Sequence, residues 1–162
     1  MEDALLSQVL SHGLNGINGF AVEVEVDISN GLPGYETVGL PDAAVRESKE
    51  RVRAAIKNSG FEFPMNRITV NLAPAELRKE GSVYDLPIAI GILAATGQIP
   101  RNKIEGRLFL GELSLDGVVR EISGVLPMVI DAYSRGVTRI VLPEGNAAEA
   151  AYINGVEVLS IR

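Results

Sequence analysis

The clearest alternation of apolar and polar residues lies in GFAVEVEVDIS, residues 19–29. Three valines and Ile28 share one face of this segment and three acidic residues share the other, which predicts a half-buried strand. The glycines and prolines of NGLPGYETVGLPD, residues 30–42, then predict turns. Further strands are predicted at 36–39, 68–72, 107–115, 139–143 and 156–161.

Helical spacing of apolar residues marks four other segments. The first follows Asp42, a predicted N-cap, and stops at Gly60, which can adopt a left-handed conformation. The second is DLPIAIGILAATG, which Asp85 is predicted to cap and which is apolar on every side, so we expect a buried core helix. The helices are predicted at 43–59, 85–97, 124–136 and 145–155. Their alternation with the strands predicts a mixed α/β fold.

Composition limits the class of protein. The chain has 162 residues, of which 46% are hydrophobic, enough for the core of one domain. It contains no apolar run that could cross a bilayer and no signal-peptide pattern at its start, so we expect a cytoplasmic protein without membrane contact. The absence of cysteine and the presence of one histidine, His12, exclude disulfides, thiolate metal sites and multi-histidine sites. We assign His12 no role.

The distribution of charge is more informative than its total. A formal net charge of −6 argues against a surface that binds nucleic acid everywhere, although a local basic stripe could do so. Four cations of the first predicted helix share one side, which we call the basic face: Arg46, Lys49, Arg53 and Lys57. This face suits a solvated surface, a contact with DNA phosphates or a subunit interface. The candidates for DNA or subunit contact are Arg46, Lys49, Arg53, Lys57, Arg78 and Lys79.

Two other patterns suggest ligands but favour simpler interpretations. Glu23, Glu25 and Asp27 could gather a hard cation, but carboxylates of divalent sites usually converge from loops, so we interpret this face as solvated. The glycine-rich GLPGYETVGLP lacks the GxxxxGK[ST] and GxGxxG spacings that place backbone amides around a phosphate. We therefore predict no metal site and no nucleotide cofactor in this chain.

A lysine, a serine and an aspartate lie close together at Lys79, Ser82 and Asp85, which suggests a serine nucleophile activated by lysine. However, the loop between them forms no strained elbow, and nothing nearby specifies an oxyanion hole. The residue types alone favour a loop and capping role.

Three long segments are specific enough to indicate a family. They are GLPGYETVGLPDAAVRESKERVRAAIKNSGFEFP, ITVNLAPAELRKEGSVYDLPIAIGILAATG and GELSLDGVVREISGVLPMVIDAYSRG. Together they closely resemble the N-terminal domain of the ComM/YifB family, the bacterial magnesium chelatase-like AAA+ ATPases. The resemblance covers nearly the whole chain, and the first dozen residues are unremarkable.

The resemblance implies a two-layer α+β fold similar to the proteolytic domain of Lon, in the ribosomal protein S5 domain 2-like superfamily. It implies one Lon-like domain over residues 1–162, with the AAA+ ATPase domain, its ATP and its Mg²⁺ outside this chain. Lon-type proteases carry a serine at the start of the apolar helix and a lysine in a later helix, where this chain has Asp85 and Leu126. We therefore expect no catalytic residue and no peptidase activity, with Ser82 as a weak fallback nucleophile.

The function that the resemblance implies is that of a non-catalytic accessory domain. It would support DNA binding, branch migration and hexamer assembly of an ATP-driven motor in natural transformation or recombination. The alternative is an accessory domain of a magnesium-chelatase-type ATPase, whose metal or tetrapyrrole ligands would lie outside this chain. A residual serine–lysine peptidase is the third interpretation, and the missing dyad argues against it.

Overall fold

The computed structural model describes residues 4–150 and 157–161. Within these ranges the chain forms a seven-stranded sheet, a separate two-stranded hairpin and four α-helices. The helices are α1 (Ala43–Asn58), α2 (Asp85–Ala95), α3 (Val125–Ser134) and α4 (Ala147–Ala150). The strands are β1 (Ala4–Asn15), β2 (Asn18–Ser29), β3 (Gly34–Val38), β4 (Arg67–Ala73), β5 (Arg107–Phe109), β6 (Glu112–Leu113), β7 (Val119–Arg120), β8 (Arg139–Pro143) and β9 (Glu157–Ile161).

A long antiparallel hairpin lies in the middle of the sheet. Its strands, β1 and β2, pair from Ala4 with Ser29 to Asn15 with Asn18. β4 runs antiparallel to β2 on one side, and β5 runs parallel to β1 on the other. The other neighbours are parallel, which gives the order β3-β4-β2-β1-β5-β8-β9. The predicted mixed α/β class is therefore confirmed.

One face of this hairpin carries the core. Val22, Val24 and Val26 of β2 are buried there, as the alternation predicts. α2 packs on the same face, so close that a Cβ on Gly91 would lie 2.7 Å from Cγ2 of Val26. Every residue of α2 except Ile90 is buried, which confirms the predicted core helix.

β1 is an element that the sequence pattern did not predict. Its buried face carries Ser7 and Ser11 as well as Val9. The Ser7 hydroxyl donates to the carbonyl oxygen of Gly91 at 2.7 Å, and the Ser11 hydroxyl donates to that of Phe109 at 2.8 Å. Because backbone carbonyls satisfy these serines, they can line a core, and their polarity hides the period of the strand.

α3 packs on the opposite face of the hairpin, near its turn. Side chains alternate along β1, so the buried His12 points away from the face that carries Ser11. His12 Nε2 lies 2.6 Å from Oδ2 of Asp131 in α3. Nearer the turn, on the same face of β2, a Cβ on Gly19 would lie 2.7 Å from Cβ of Asp131. The two-layer arrangement that the resemblance implies therefore gains a third layer at this end of the sheet.

The prediction of one strand over 107–115 is wrong, because the segment divides into β5 and β6. At Gly111 the chain leaves the sheet. The Gly111 amide donates to the carbonyl oxygen of Val83, and its own carbonyl oxygen accepts from the amide of Leu86, both at 3.0 Å. β6 then pairs with β7 in the separate hairpin. The backbone at Gly111 thus closes onto the start of α2, a contact between distant segments that no local pattern predicts.

The last predicted elements lie partly outside the described residues. A short 3₁₀ turn, Glu144–Asn146, leads into α4, and β9 falls within the strand predicted at 156–161. The rest of the helix predicted at 145–155 and residue 156 lie outside the described ranges. Among the helices described, none combines the length and the apolar character needed to cross a membrane.

Candidate functional site

Asp85 is the first residue of α2 and is completely buried. Its Oδ2 accepts hydrogen bonds from Nε of Arg51 at 2.6 Å and from the amide of Leu113 at 3.1 Å. Its Oδ1 accepts a further bond from Nη2 of Arg51 at 3.1 Å. Burial raises the pKa of the Asp85 carboxyl, and the bonds from Arg51 and Leu113 oppose that rise. The carboxylate thus joins α1, α2 and β6 at the position that the family resemblance assigns to a catalytic serine.

The prediction that Asp85 caps α2 is wrong. The N-cap position belongs to Tyr84, whose side chain makes no capping hydrogen bond. The Asp85 carboxylate pairs with Arg51 instead, because a buried carboxylate without a cation loses its hydration and gains too little in return. The predicted N-cap of α1 is confirmed, since Oδ1 of Asp42 accepts from the amide of Val45 at 2.8 Å.

Arg51 is the site residue that sequence reasoning missed. It lies on the flank of α1 that is remote from the basic face, at the other border of the apolar side. Besides its two bonds to Asp85, its guanidinium donates to the carbonyl oxygen of Ala44 at 2.9 Å. A signal was present in the sequence. Asp85 is the one charged residue of an apolar helix, and a buried carboxylate needs a cation from a neighbouring element.

Ser82 lies in the loop before α2, and its hydroxyl donates to Oε1 of Glu112 at 2.6 Å. These two residues border a cavity of about 530 Å³ that also reaches Glu80 and Glu121. The Glu112 carboxylate can accept a proton, but α3 carries Leu126 where the family resemblance places the Lon lysine. The Ser82–Glu112 pair is therefore a hydrogen-bonded contact at the cavity wall, different from a Lon-type dyad.

The prediction that Lys79 contacts DNA or another subunit is wrong, because its side chain is fully buried. The ammonium donates to the carbonyl oxygen of Gly39 at 2.8 Å and to that of Pro74. The Lys79 backbone bonds the same loop, donating to the Leu40 carbonyl oxygen and accepting from the Asp42 amide, both at 2.9 Å. Burial lowers the pKa of the ammonium. Lys79 therefore holds the loop that leads into α1 against the segment between β4 and α2.

The basic face is accessible along α1. Arg46, Arg53 and Lys57 are exposed and Lys49 is half-buried. The ion pairs within the described part of the chain involve none of these four side chains. Arg78 is also exposed, but it pairs with Glu80 at 3.2 Å. Contact of the basic face and of Arg78 with DNA or a subunit stays a prediction.

The acidic residues of β2 are less exposed than the solvated interpretation requires. Glu23, Glu25 and Asp27 are all half-buried. The Glu25 carboxylate accepts from Nε2 of Gln8 at 3.2 Å and from Nδ2 of Asn71 at 2.7 Å. Over residues 4–150 and 157–161, no three histidine, aspartate or glutamate side chains are grouped to hold a metal ion. Glu25 is engaged by the strands on either side of β2.

The sequence leaves His12 without a role, but in the structure it is the buried member of a polar cluster with the half-buried Asp131 and the exposed Arg135. Its partner Asp131 also accepts from Nε of Arg135 at 2.7 Å. Burial lowers the pKa of the His12 imidazole, and the bond to Asp131 opposes that fall. For Asp131 itself, burial acts to raise the pKa, but the hydrogen bonds from Arg135 and His12 hold it below its ordinary value.

We expect this cluster to make stability sensitive to mild acid. The unfolded chain binds a proton at His12 near pH 6.5, whereas the folded chain resists it, so the free energy of unfolding falls as the pH drops below 6.5. The variant His12→Asn should flatten this dependence by up to about 1.4 kcal/mol per pH unit. Urea unfolding of both proteins at pH 7, 6 and 5 measures the two slopes. Equal slopes would contradict the assignment, because His12 is the only histidine.

Comparison with known proteins identifies the family. Residues 24–146 match the family model described as subunit ChlI of Mg-chelatase. The chain is 46% identical to YifB of Escherichia coli over 150 residues, which cover 93% of this chain and 29% of YifB. It is 43% identical to competence protein ComM of Haemophilus influenzae over 149 residues, which cover 92% of this chain and 29% of ComM. The chain is more weakly similar to Lon protease 2 of Bacillus subtilis, with 25% identity over 162 residues, which cover 90% of this chain and 29% of that protease.

The chain therefore belongs to the magnesium chelatase ChlI-like family, and YifB and ComM are its relatives. The Lon match agrees with the Lon-like fold class. The chain spans 29% of the length of each of these three proteins.

Proposed function

We propose that this chain is the non-catalytic N-terminal accessory domain of a longer magnesium chelatase-like ATPase and that it supports DNA binding through α1. The observation that carries the proposal is the basic face, whose cations are accessible and take part in no ion pair among the described residues. Such cations can neutralise phosphates and release the counterions of DNA. The similarity to a competence protein supports DNA as the partner.

The acidic net charge requires that several copies act together. One chain with a formal charge of −6 presents a single basic face and should bind DNA weakly. We propose that the longer protein assembles as a cytoplasmic hexamer and moves branched DNA in transformation or recombination. The ATP and Mg²⁺ that drive this movement would be bound outside this chain. A ring that repeats the face gains avidity by about 100-fold or more without any new contact.

The family description favours a second candidate, an accessory domain of a magnesium-chelatase-type ATPase. Such a protein acts on a metal or a tetrapyrrole and has no need of the basic face. The two candidates therefore differ in the effect that substitution of α1 has on DNA affinity.

We expect the variant Arg46→Gln/Lys57→Gln of the full-length protein to bind DNA more weakly and with less dependence on salt. Both side chains lie exposed on the basic face, so their replacement removes phosphate contacts without opening the core. The slope of log affinity against log salt should flatten by about 0.9 for each lost contact, or about 2 for each engaged chain. Fluorescence anisotropy with labelled duplex and forked DNA over a range of salt measures both quantities.

The matched control is Arg101→Gln/Lys103→Gln, which removes two exposed cations from the turn after α2. This control separates a local contact from the change in net charge and should leave the slope within error of wild type. Sedimentation must show equal assembly of all three proteins. If the α1 variant keeps wild-type affinity and slope, DNA binding by this face is refuted. If its assembly fails, the face is a subunit interface.

A further inference from the structure

A second feature lies beside the basic face, a cavity of about 200 Å³ that we call the loop cavity. Lys49 and Arg53 of α1 form one side of it. Phe63, Pro64 and Met65, from the segment between α1 and β4, form another. The lining found in the described part of the chain contains these two cations and no carboxylate. The loop cavity thus combines positive charge with apolar and aromatic surface.

The Phe63 side chain packs against the hydrophobic core, and Arg53 covers its ring only loosely. The guanidinium carbon of Arg53 lies 6.0 Å from the ring centroid, at the outer limit of a cation–π contact. Arg53 is itself exposed and Phe63 is half-buried. Arg53 can therefore swing towards a phosphate and leave the ring free to stack on another planar group.

Exposed apolar side chains lie at the loop cavity and next to it. Met65, which lines the cavity, is 74% exposed, and Leu32, which precedes the lining residue Pro33 on the neighbouring loop, is 85% exposed. The two loops are joined where the Gly34 amide donates to the Asn66 carbonyl oxygen at 3.5 Å. Apolar tips beside aromatic and cationic groups are the chemistry that engages unstacked bases.

The charge distinguishes this cavity from the larger one beside Ser82. That larger cavity is lined by Glu80, Glu112 and Glu121, which repel phosphate groups. A polyanion that approaches the molecule should therefore meet the loop cavity and not the cavity at Ser82.

We propose that the loop cavity binds one unpaired nucleobase of branched or single-stranded DNA. The base stacks on Phe63 and against Met65, and Lys49 and Arg53 hold the adjacent phosphates. Bases inside a duplex are already stacked and cannot enter, so the cavity adds a preference for unpaired DNA. This inference rests on the proposed DNA-binding function and extends it.

The test compares full-length variants on a forked DNA with unpaired thymidine arms and on a blunt duplex of equal length. Phe63→Leu keeps an apolar side chain but removes the ring, and it should weaken binding to the fork by at least about fivefold. Duplex binding and the salt slope should stay at wild-type values. Phe63→Tyr, which keeps the ring, should restore the affinity for the fork. Phe61→Leu, the same substitution two residues earlier and outside the loop cavity, serves as the matched control and should have no effect.

Each outcome separates this inference from the proposed function. If Phe63→Leu binds the fork as wild type while Arg46→Gln/Lys57→Gln still weakens DNA binding, the loop cavity is refuted and the proposed function stands. If Phe63→Leu weakens fork and duplex equally, the ring acts by positioning Arg53 and base stacking is refuted. If neither variant changes binding to either DNA, both proposals are wrong.

Discussion

Replacing Arg51 with alanine should lower the free energy of unfolding by about 3–5 kcal/mol. The substitution leaves the Asp85 carboxylate completely buried without its cation and removes the two bonds that join α1 to the start of α2. A buried charge that loses its partner keeps the cost of dehydration and loses the attraction that offset it. Urea unfolding of wild type and Arg51→Ala at pH 7 measures the loss.

Two comparisons make this expectation specific to Asp85. Glu47 lies 3.8 Å from Arg51 but is 71% exposed, so Glu47→Gln should change the free energy of unfolding by less than about 1 kcal/mol. The loss in Arg51→Ala should also shrink at lower pH, because protonation removes the charge that Arg51 no longer compensates and the pKa of Asp85 is already raised by burial. A loss of the same size at pH 7 and pH 4.5 would show that the pairing charge is unimportant.

The elements with strong local signals could be predicted from the sequence. The valines of β2 alternate with polar residues without interruption, which predicts burial of one face of the strand. α2 is apolar on every side, which predicts burial of the whole helix. The N-cap at Asp42 needs only the amide of Val45, three residues away. These features depend on neighbours within one turn or one strand.

The features that could not be predicted depend on partners far along the chain. Ser7 lies in the core because Gly91 accepts its hydrogen bond, 84 residues later. Lysine usually lies on the surface, but Lys79 is buried because its ammonium donates to the carbonyl oxygen of Gly39, 40 residues earlier. Periodicity treats serine and lysine as solvent-facing, and only the folded backbone shows which carbonyl oxygens are available to them.

The candidate site follows the same division. The basic face was predicted because its cations are neighbours on one helix, whereas Arg51 was missed because its partner Asp85 lies on another helix. The structure shows how the Arg51–Asp85 pair is related to the basic face. Arg51 fixes one flank of α1 to the start of α2, which holds the opposite flank, with Arg46 and Arg53, towards solvent. An ion pair at the position where the family resemblance places a nucleophile thus supports the proposed binding surface.

The last expectation concerns the loop that positions α1. Gly39→Ala should lower the free energy of unfolding by more than about 4 kcal/mol or prevent folding, an effect reserved for severe clashes. Gly39 has a φ of +107°, and a Cβ there would lie 2.1 Å from the carbonyl oxygen of Leu72. The backbone of Gly39 must then move, which also separates its carbonyl oxygen from the buried ammonium of Lys79. The matched control is Gly136→Ala, where φ is +94° and the new Cβ meets no atom of the described residues within 4 Å apart from its chain neighbours. This variant should cost about 1–3 kcal/mol for conformation alone. Thermal and urea unfolding, with soluble yield for a variant that does not fold, measure both, and equal losses would mean that the contact with Leu72 imposes no constraint.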